Sequence, residues 1–308
     1  MVRLKKKYDT IISASKEAYF RIIMVKKWLL SNLIGVIITT VVLLTTVGLI
    51  VSLISKTETF TRPDNVQLRT GPGRQYRSTA SLKRGTKLII LDKQNGWWHV
   101  RRSDNEKTGW VASWVANAVN LKHATALSEA TIVLDPGHGG TDTGALSKNG
   151  KYKEKTYTLR TARLVRSALA PSGARILMTR DSDNIVPLLK IPLVGEKYKA
   201  DAQISFHFDS STVSASGISQ YYYHKNGQNL AQALSDSLNN MPLTNRGVDT
   251  APYIVLKDTT QPAVLLENGF INNNKDLKYI RKTSYQKKIA KNVVAGLTTY
   301  FTKNTEMK

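Results

Sequence analysis

The sequence predicts three kinds of structure in succession: a single transmembrane helix, a small all-β barrel, and an α/β domain whose mixed or mostly parallel sheet is flanked by helices. Three observations predict it. Residues 28–54 carry no charged side chain. Residues 61–118 break into short alternating runs separated by turn residues. From Thr131 onward, apolar strand-like runs alternate with segments of helical period, the pattern of a layered α/β domain. A chain of 308 residues has room for such a set, since a domain takes roughly 100 to 200 residues.

The N-terminal segment decides the compartment. The stretch from Trp28 to Ile54 is long enough to cross about 30 Å of hydrocarbon at 1.5 Å per residue. Residues 1–27 hold Arg3, Lys5, Lys6, Lys7, Lys16, Arg21, Lys26 and Lys27 against Asp9 and Glu17, so the positive-inside rule keeps that end in the cytoplasm. A cleaved signal peptide is the rival reading. Its apolar region would run about 7 to 15 residues and end in an A-x-A-like site, and this segment does neither. The expectation is a single-pass cell-membrane protein with a cytoplasmic basic segment at 1–27, a membrane helix at 28–54, and everything beyond Ser55 outside the cell.

Charge then narrows the partners. The net charge is +23, with 45 Lys and Arg against 22 Asp and Glu, and +17 of it falls beyond residue 27. A field of that sign favours anionic partners. An extracellular location argues against nucleic acid and leaves anionic membrane or cell-wall polymer. Cysteine is absent, which excludes disulfides and thiolate metal sites.

Within residues 61–118, strands are expected at Val66–Arg69, Lys87–Leu91, Trp97–Val100 and Gly109–Val111, with a turn at Thr70–Gly73. Trp97, Trp98, Trp110 and Trp114 are candidates for a binding groove, although at least two are expected in the core of so small a module. Its twelve basic side chains against five acids between Lys56 and Ala118 suit retention by anionic wall polymers. Residues 119–130 show no period and are expected to be a linker, with His123 inert. The α/β domain is expected over 131–303. Strands are predicted at Ile132–Leu134, Ala174–Met178, Ala202–Phe208, Gly217–Tyr223, Tyr253–Leu256 and Ala263–Leu266, and helices at Lys155–Ala170, Gln228–Asn240 and Ser284–Phe301.

The chemistry gathers at element ends. His138 follows the buried strand Ile132–Leu134 in the turn Asp135-Pro136-Gly137-His138-Gly139-Gly140, and the carboxyl ends of strands are where α/β domains collect ligand groups. Glu154 opens the first helix, His207 ends the strand Gln203–Phe206, and Glu267 ends the strand Ala263–Leu266. Two imidazoles and one carboxylate make the His2Glu set of a catalytic zinc site with its fourth position left for water. A separate carboxylate would then move the proton. Asp209, on His207's face at i, i+2, is a candidate supporting residue. Asp135 is expected to hold the turn, His224 to lie at an exposed strand end, and His99 to belong to the barrel.

Two resemblances sharpen this reading. NVQLRTGPG, LKRGTKLIIL, NGWWHV and TGWVASWV resemble a bacterial SH3 domain, which implies a non-catalytic module that holds peptidoglycan or its peptides. IVLDPGHGGTDTGA, Glu154-Lys155, TRDSD, ADAQISFHFDS and PAVLLENGFINN resemble the zinc-dependent N-acetylmuramoyl-L-alanine amidases of the Amidase_3 type. That resemblance implies His138, Glu154 and His207 as zinc ligands and Glu267 as the catalytic acid/base. With the anchor, the whole chain is similar to membrane-anchored Gram-positive cell-wall amidases, a layout that leaves room for a membrane activator protein. The sequence departs from the family at Ile191–Glu196, where an Arg and an Asn are usual, and at Asp209, where Asn is usual. The expected function is hydrolysis of the bond between N-acetylmuramic acid and L-alanine of the stem peptide. The alternative is a catalytically inactive wall-binding scaffold.

Overall fold

The computed structural model describes residues 2–306, with side chains described for 16–28, 30–52 and 57–303. The basic Arg3, Lys5, Lys6 and Lys7 of the N-terminal flank fall outside the described side chains. Contacts divide the chain into residues 1–58 and 59–308.

The first unit holds helices α1 (Val2–Ser31) and α2 (Leu33–Thr57). They part at Asn32, whose amide and the hydroxyl of Ser31 both donate to the Trp28 carbonyl. Within α2, Leu33–Ser52 is long and apolar enough to cross a membrane, with mean hydropathy 2.6 and none of it buried. Twenty residues of helix measure about 30 Å. Thr39, Thr40, Thr45 and Thr46 of this span each donate to the carbonyl four residues back.

In the second unit, strands β1 (Glu58–Phe60), β2 (Val66–Arg69), β3 (Ser78–Leu82), β4 (Lys87–Gln94), β5 (Trp97–Arg102) and β6 (Thr108–Ala112) form a sheet of order β1-β4-β5-β6-β2-β3, followed by the short helix α3 (Ser113–Ala116). The β4–β5 hairpin turns on Asn95-Gly96, both at positive φ, the backbone that a two-residue type I′ turn needs. Val66, Leu68, Leu88, Trp97, Val100 and Val111 fill the core. Of the four barrel tryptophans only Trp97 is fully buried; the other three lie partly buried against that core. His99 stacks on Trp110 with ring centroids 5.0 Å apart.

The rest of the unit comprises β7 (Thr131–Pro136), α4 (Glu154–Leu169), β8 (Arg175–Met178), α5 (Ile191–Lys197), β9 (Ala202–His207), β10 (Ile218–Tyr222), α6 (Lys225–Leu238), β11 (Asn245–Thr250), α7 (Ile254–Lys257), β12 (Ala263–Glu267), α8 (Asn274–Ile280) and α9 (Thr283–Glu306). The sheet order is β11-β10-β12-β9-β7-β8. Strands β8, β7, β9 and β12 run parallel, β10 is antiparallel to β12, and β11 is parallel to β10, so the expected mixed sheet is present. Alternation along β12 sends Val264 and Leu266 into the core beneath α4, α6 and α9. It sends Ala263 and Leu265 to a smaller cluster with Ile191, Val255 and Leu256. Every residue of β7 is buried, which fits a central strand covered on both faces.

Three local readings change. Tyr253–Leu256, expected as a strand, belongs largely to the helical turn α7: Pro252 offers no N–H to a ladder, and Val255 and Leu256 gain burial by turning into the smaller cluster. β11 and α8 escape the sequence reading because NRGVDT is an edge strand with a single apolar residue and α8 spans only seven residues. Residues 119–130 form no regular element, yet Leu127, Ser128, Glu129 and Ala130 are buried. Arg69 of β2 donates through Nε to Glu129 at 3.2 Å and through Nη1 to the Tyr76 carbonyl at 2.8 Å, and this ion pair is almost wholly buried. Trp114 Nε1 donates to the Ser128 carbonyl at 2.9 Å. Arg175 donates to the Asn95 carbonyl and lies over the rings of Trp114 and Tyr198. The small sheet is thus fastened to the end of the large sheet where β7 and β8 begin.

Because this seam is buried, the two sheets of residues 59–308 should unfold together. The tryptophans of that unit lie in the small sheet and in α3 packed against its core, so fluorescence reports that module while far-ultraviolet circular dichroism reports the helices around the large sheet. The two denaturant transitions should coincide, and Arg69→Met, which removes the hydrogen-bonded partner of the buried Glu129, should lower both by about 3 to 5 kcal/mol. Two separate transitions, or a shift confined to fluorescence, would contradict a shared structure.

Candidate metal centre

Three strand ends and one helix start converge at the opposite edge of the large sheet. Past β7, Gly137 N–H continues the pairing by donating to the Phe206 carbonyl, and its own carbonyl accepts from Thr158 Oγ1 at 2.7 Å and from Arg180 Nη2 at 2.9 Å. Arg180, buried, also holds the Pro136 and Ser182 carbonyls. This fixed turn delivers His138 at φ 62°, a left-handed backbone that a non-glycine residue adopts only when its surroundings enforce it. Asp135 does not hold the turn. It is buried one step earlier and accepts from Thr179 Oγ1 at 2.6 Å and Ser205 Oγ at 2.8 Å, bracing β7 against its neighbours.

Glu154, the first residue of α4, is 4% exposed. Its Oε2 accepts from Ala145 N–H at 2.8 Å and lies 3.1 Å from His138 Nε2. Its Oε1 accepts from Phe208 N–H at 2.9 Å and lies 3.0 Å from His207 Nδ1. Burial pushes this carboxyl up, but the hydrogen bonds and charges of the two imidazoles outweigh it and hold Glu154 well below the usual carboxylate range. Burial likewise opposes the charged form of His138, yet Glu154 and Asp142 together push it up to about 9.

These residues could hold a metal ion. One ligand atom each from His138, Glu154 and His207 lies within 4.8 Å of the others. A tetrahedral zinc ion with bonds of about 2.0 to 2.2 Å separates neighbouring ligand atoms by about 3.3 Å, a spacing that falls inside the 4.8 Å within which the three atoms lie. The donor chemistry, two imidazoles and a carboxylate with no sulfur, also fits a zinc site open to solvent. Close approach of the backbone is part of the geometry: a Cβ on Gly137 would stand 2.2 Å from His207 Cε1, and one on Gly144, at φ 62°, would stand 2.5 Å from Glu154 Oε2.

Glu267 pairs with His207 across the β12–β9 ladder. It is 8% exposed, and its Oε2 has no hydrogen-bond partner among the described residues. Burial raises its pKa well above the ordinary value, and the charges of Glu154 and Asp209 add to this. The Asp209 main-chain N–H opposes the shift by hydrogen bonding to Glu267. The Asp209 carboxylate accepts from Ser210 N–H at 2.6 Å, so Asp209 supports the site through its backbone rather than by orienting His207.

The sequence reading missed three residues here. Asp142 Oδ2 lies 2.8 Å from His138 Nδ1 while its Oδ1 accepts from Gly144 N–H; the signal was its place four residues after His138 inside the glycine-rich turn. Asn268 donates twice to the His207 carbonyl and fixes that backbone. Tyr253, half exposed, has its phenol pushed up to about 12 by burial, then by the charge of Glu267. The remaining histidines stay apart: His123 lies 3.8 Å from Asp64 on the surface, and His224 Nε2 meets the Lys257 carbonyl just before α6. The departure at Ile191–Glu196 forms α5, whose Gly195 packs on Gln261, ahead of β12 and away from Glu267.

The comparisons agree with this architecture. The N-acetylmuramoyl-L-alanine amidase (Amidase_3) family matches residues 132–299, and the bacterial SH3 domain family matches residues 64–116. The chain belongs to the N-acetylmuramoyl-L-alanine amidase family, whose members hydrolyse cell-wall peptidoglycan, and the inactive-scaffold reading is not favoured. The probable cell wall amidase LytH of Staphylococcus saprophyticus is 39% identical over 77% of this chain and 82% of its own length. The catalytic domain of the amidase CwlV from Bacillus (Paenibacillus) polymyxa var. colistinus superposes with a TM-score of 0.54 at 31% identity, covering 56% of this chain and 97% of that one. The CwlD amidase of Clostridioides difficile, solved in complex with the GerS lipoprotein, gives 0.54 at 27% identity, covering 56% and 98%.

The crowding at Gly137 makes a test of geometry without touching a polar group. Gly137→Ala must displace the His207 ring, and a displacement of about 1 Å at a catalytic centre costs on the order of 10²-fold in rate. Muropeptide hydrolysis should fall by about that factor with the circular dichroism spectrum unchanged; wild-type activity would contradict the close approach.

Proposed function

We propose that this chain is a zinc-dependent amidase in which His138, Glu154 and His207 hold the ion and Glu267 moves the proton. The observation that carries the proposal is the convergence of His138 Nε2, Glu154 and His207 Nδ1 beside a buried glutamate that has an unpartnered carboxylate oxygen. When bound, zinc supplies Lewis acidity that polarises the amide carbonyl and acidifies a water near neutral pH. Asp142 keeps the proton of His138 on Nδ1, which leaves Nε2 free as a donor atom. Glu267 accepts the proton of the attacking water and delivers it to the departing L-alanine nitrogen as the lactyl C–N bond breaks. A carboxyl raised above its ordinary range holds that proton firmly enough to protonate an amine and remains able to act as a base. The products are a lactyl carboxylate on the glycan and a free peptide amine.

The substrate is peptidoglycan, in keeping with an amidase and an SH3 module on one chain. For location we infer a single-pass anchor through the apolar helix, residues 1–27 in the cytoplasm, and an exterior part made of the SH3-like module (61–118), the connecting segment (119–130) and the catalytic domain (131–303). The basic flank and the length of the uncharged segment support this topology. A membrane activator protein fits that layout, and the complex of the CwlD amidase with a lipoprotein supports a relative's capacity to take such a partner.

The two glutamates should separate in one experiment. Glu154→Ala should lose both zinc and activity. Glu267→Ala should keep near-stoichiometric zinc by metal analysis while muropeptide hydrolysis falls by about 10² to 10⁴. Equal zinc loss in both would make Glu267 a ligand, and full activity in Glu267→Ala would end the proposed mechanism.

The topology has its own test. Protease added to intact cells should remove the exterior part and leave a small membrane-bound N-terminal fragment. Mature protein in the medium lacking residues 1–54 would contradict the anchor.

A further inference from the structure

The outer faces of α4 and α9 enclose a groove that the amidase reaction does not use. One part, about 390 Å³, is lined by Leu164, Ala168, Ala290 and Val294, with Lys287 and Lys291 along its side. It shares Leu164 and Ser167 with an adjoining recess of about 490 Å³ lined by Leu159, Arg160 and Arg163, which ends at Lys155 and Asp183. Lys155 to Ser167 is about 18 Å of helix axis. The groove therefore starts at the residue after Glu154, follows α4 away from the metal centre, and is joined by α9 at Lys287, Ala290, Lys291 and Val294.

Its charge is predominantly positive, with Asp183 at one end. Along α4 the only acid is the buried Glu154, against Lys155, Arg160, Arg163 and Arg166; along α9 no acid precedes Glu306. Two of these cations meet carboxylates, Lys155 with Asp183 and Arg166 with Asp181. Among the described residues Arg160 donates to the Thr283 hydroxyl and Arg163 to the Asp181 carbonyl. Lys287 and Lys291, both exposed, have no anionic partner among the described residues.

We propose that this groove binds a linear phosphodiester polyanion. Its cations stand in rows along two helices instead of converging on one point, which suits repeated phosphates rather than a single anion. The apolar floor between the rows accepts the carbon atoms that join the phosphates. A concave channel of this kind takes a strand, whereas a bilayer surface would meet only its rims. The occupant lies alongside the catalytic edge, so the polymer holds the enzyme on the wall without entering the metal site.

The test uses the full chain in neutral detergent micelles and synthetic poly(glycerol phosphate) as the probe. Lys287→Glu/Lys291→Glu should weaken binding by about tenfold or more and flatten the dependence of log K on log salt by about 1 to 2, as expected when two phosphate contacts are lost. The milder pair Lys287→Gln/Lys291→Gln should show a smaller loss in the same direction. A control that reverses two exposed charges of the small sheet, Lys93→Glu/Lys107→Glu, should change affinity less than about twofold. Hydrolysis of soluble muropeptides should be unchanged in all three, which reports both folding and an intact amidase. Equal losses in the groove and control pairs would reduce the effect to net charge and overturn the site. So would undiminished binding in the groove variant, equal affinity for free inorganic phosphate at matched phosphate concentration, or binding to anionic phosphatidylglycerol vesicles with none to the polymer.

Discussion

The carboxylate of Glu154 stays ionised where burial alone would neutralise it, because two imidazoles and two backbone N–H groups surround it. Its charge sets the state of its neighbours. It raises His138, and it adds to the burial that keeps Glu267 protonated above its ordinary range. Two glutamates at similar depth thus acquire opposite character from their surroundings, one suited to hold a cation and the other to handle a proton. The site requires both, and both follow from where one carboxylate is placed.

The fold places it by parallel strand ends. His138 follows β7, His207 ends β9 and Glu267 ends β12, three adjacent strands running the same way, so their last residues must meet at one edge. Below that edge polar side chains are spent on fixing backbone. Asp135 braces β7, Arg180 takes up four carbonyls of the turn and its surroundings, and Asn268 grips the carbonyl of His207. The SH3-like sheet attaches at the other edge, through Arg69, Glu129, Trp114 and Arg175. It supports the start of the strands while their ends stay open to substrate, so the module contributes structure as well as any wall binding.

Much of this was readable in the sequence, for reasons particular to each part. Ile132–Leu134 and Val264–Leu266 announce buried strands because both faces are covered, and a run with no polar residue has no other use in a chain of this kind. The four site residues stood out because each falls where an apolar run stops or a helix starts. Less was visible where the reason for a residue lies far along the chain. Asp135 reads as a turn residue until Thr179, just past the end of β8, and Ser205 of β9 arrive beside it from 44 and 70 positions along the chain. Residues 119–130 read as a linker because the partner of Glu129 is Arg69, 60 positions earlier. The sequence of β11 carries almost no strand pattern, since an exposed edge places few demands on its side chains.

Two imidazoles and one carboxylate of this chain are proposed to hold zinc with a position left open. X-ray absorption at the zinc edge, on the full chain loaded with one equivalent of metal, reads that set directly. The account predicts two imidazoles at about 2.0 to 2.1 Å with two oxygen donors, one from Glu154 and one from water. A shell of three or more imidazoles, or a protein that fails to retain one equivalent of zinc, would contradict it.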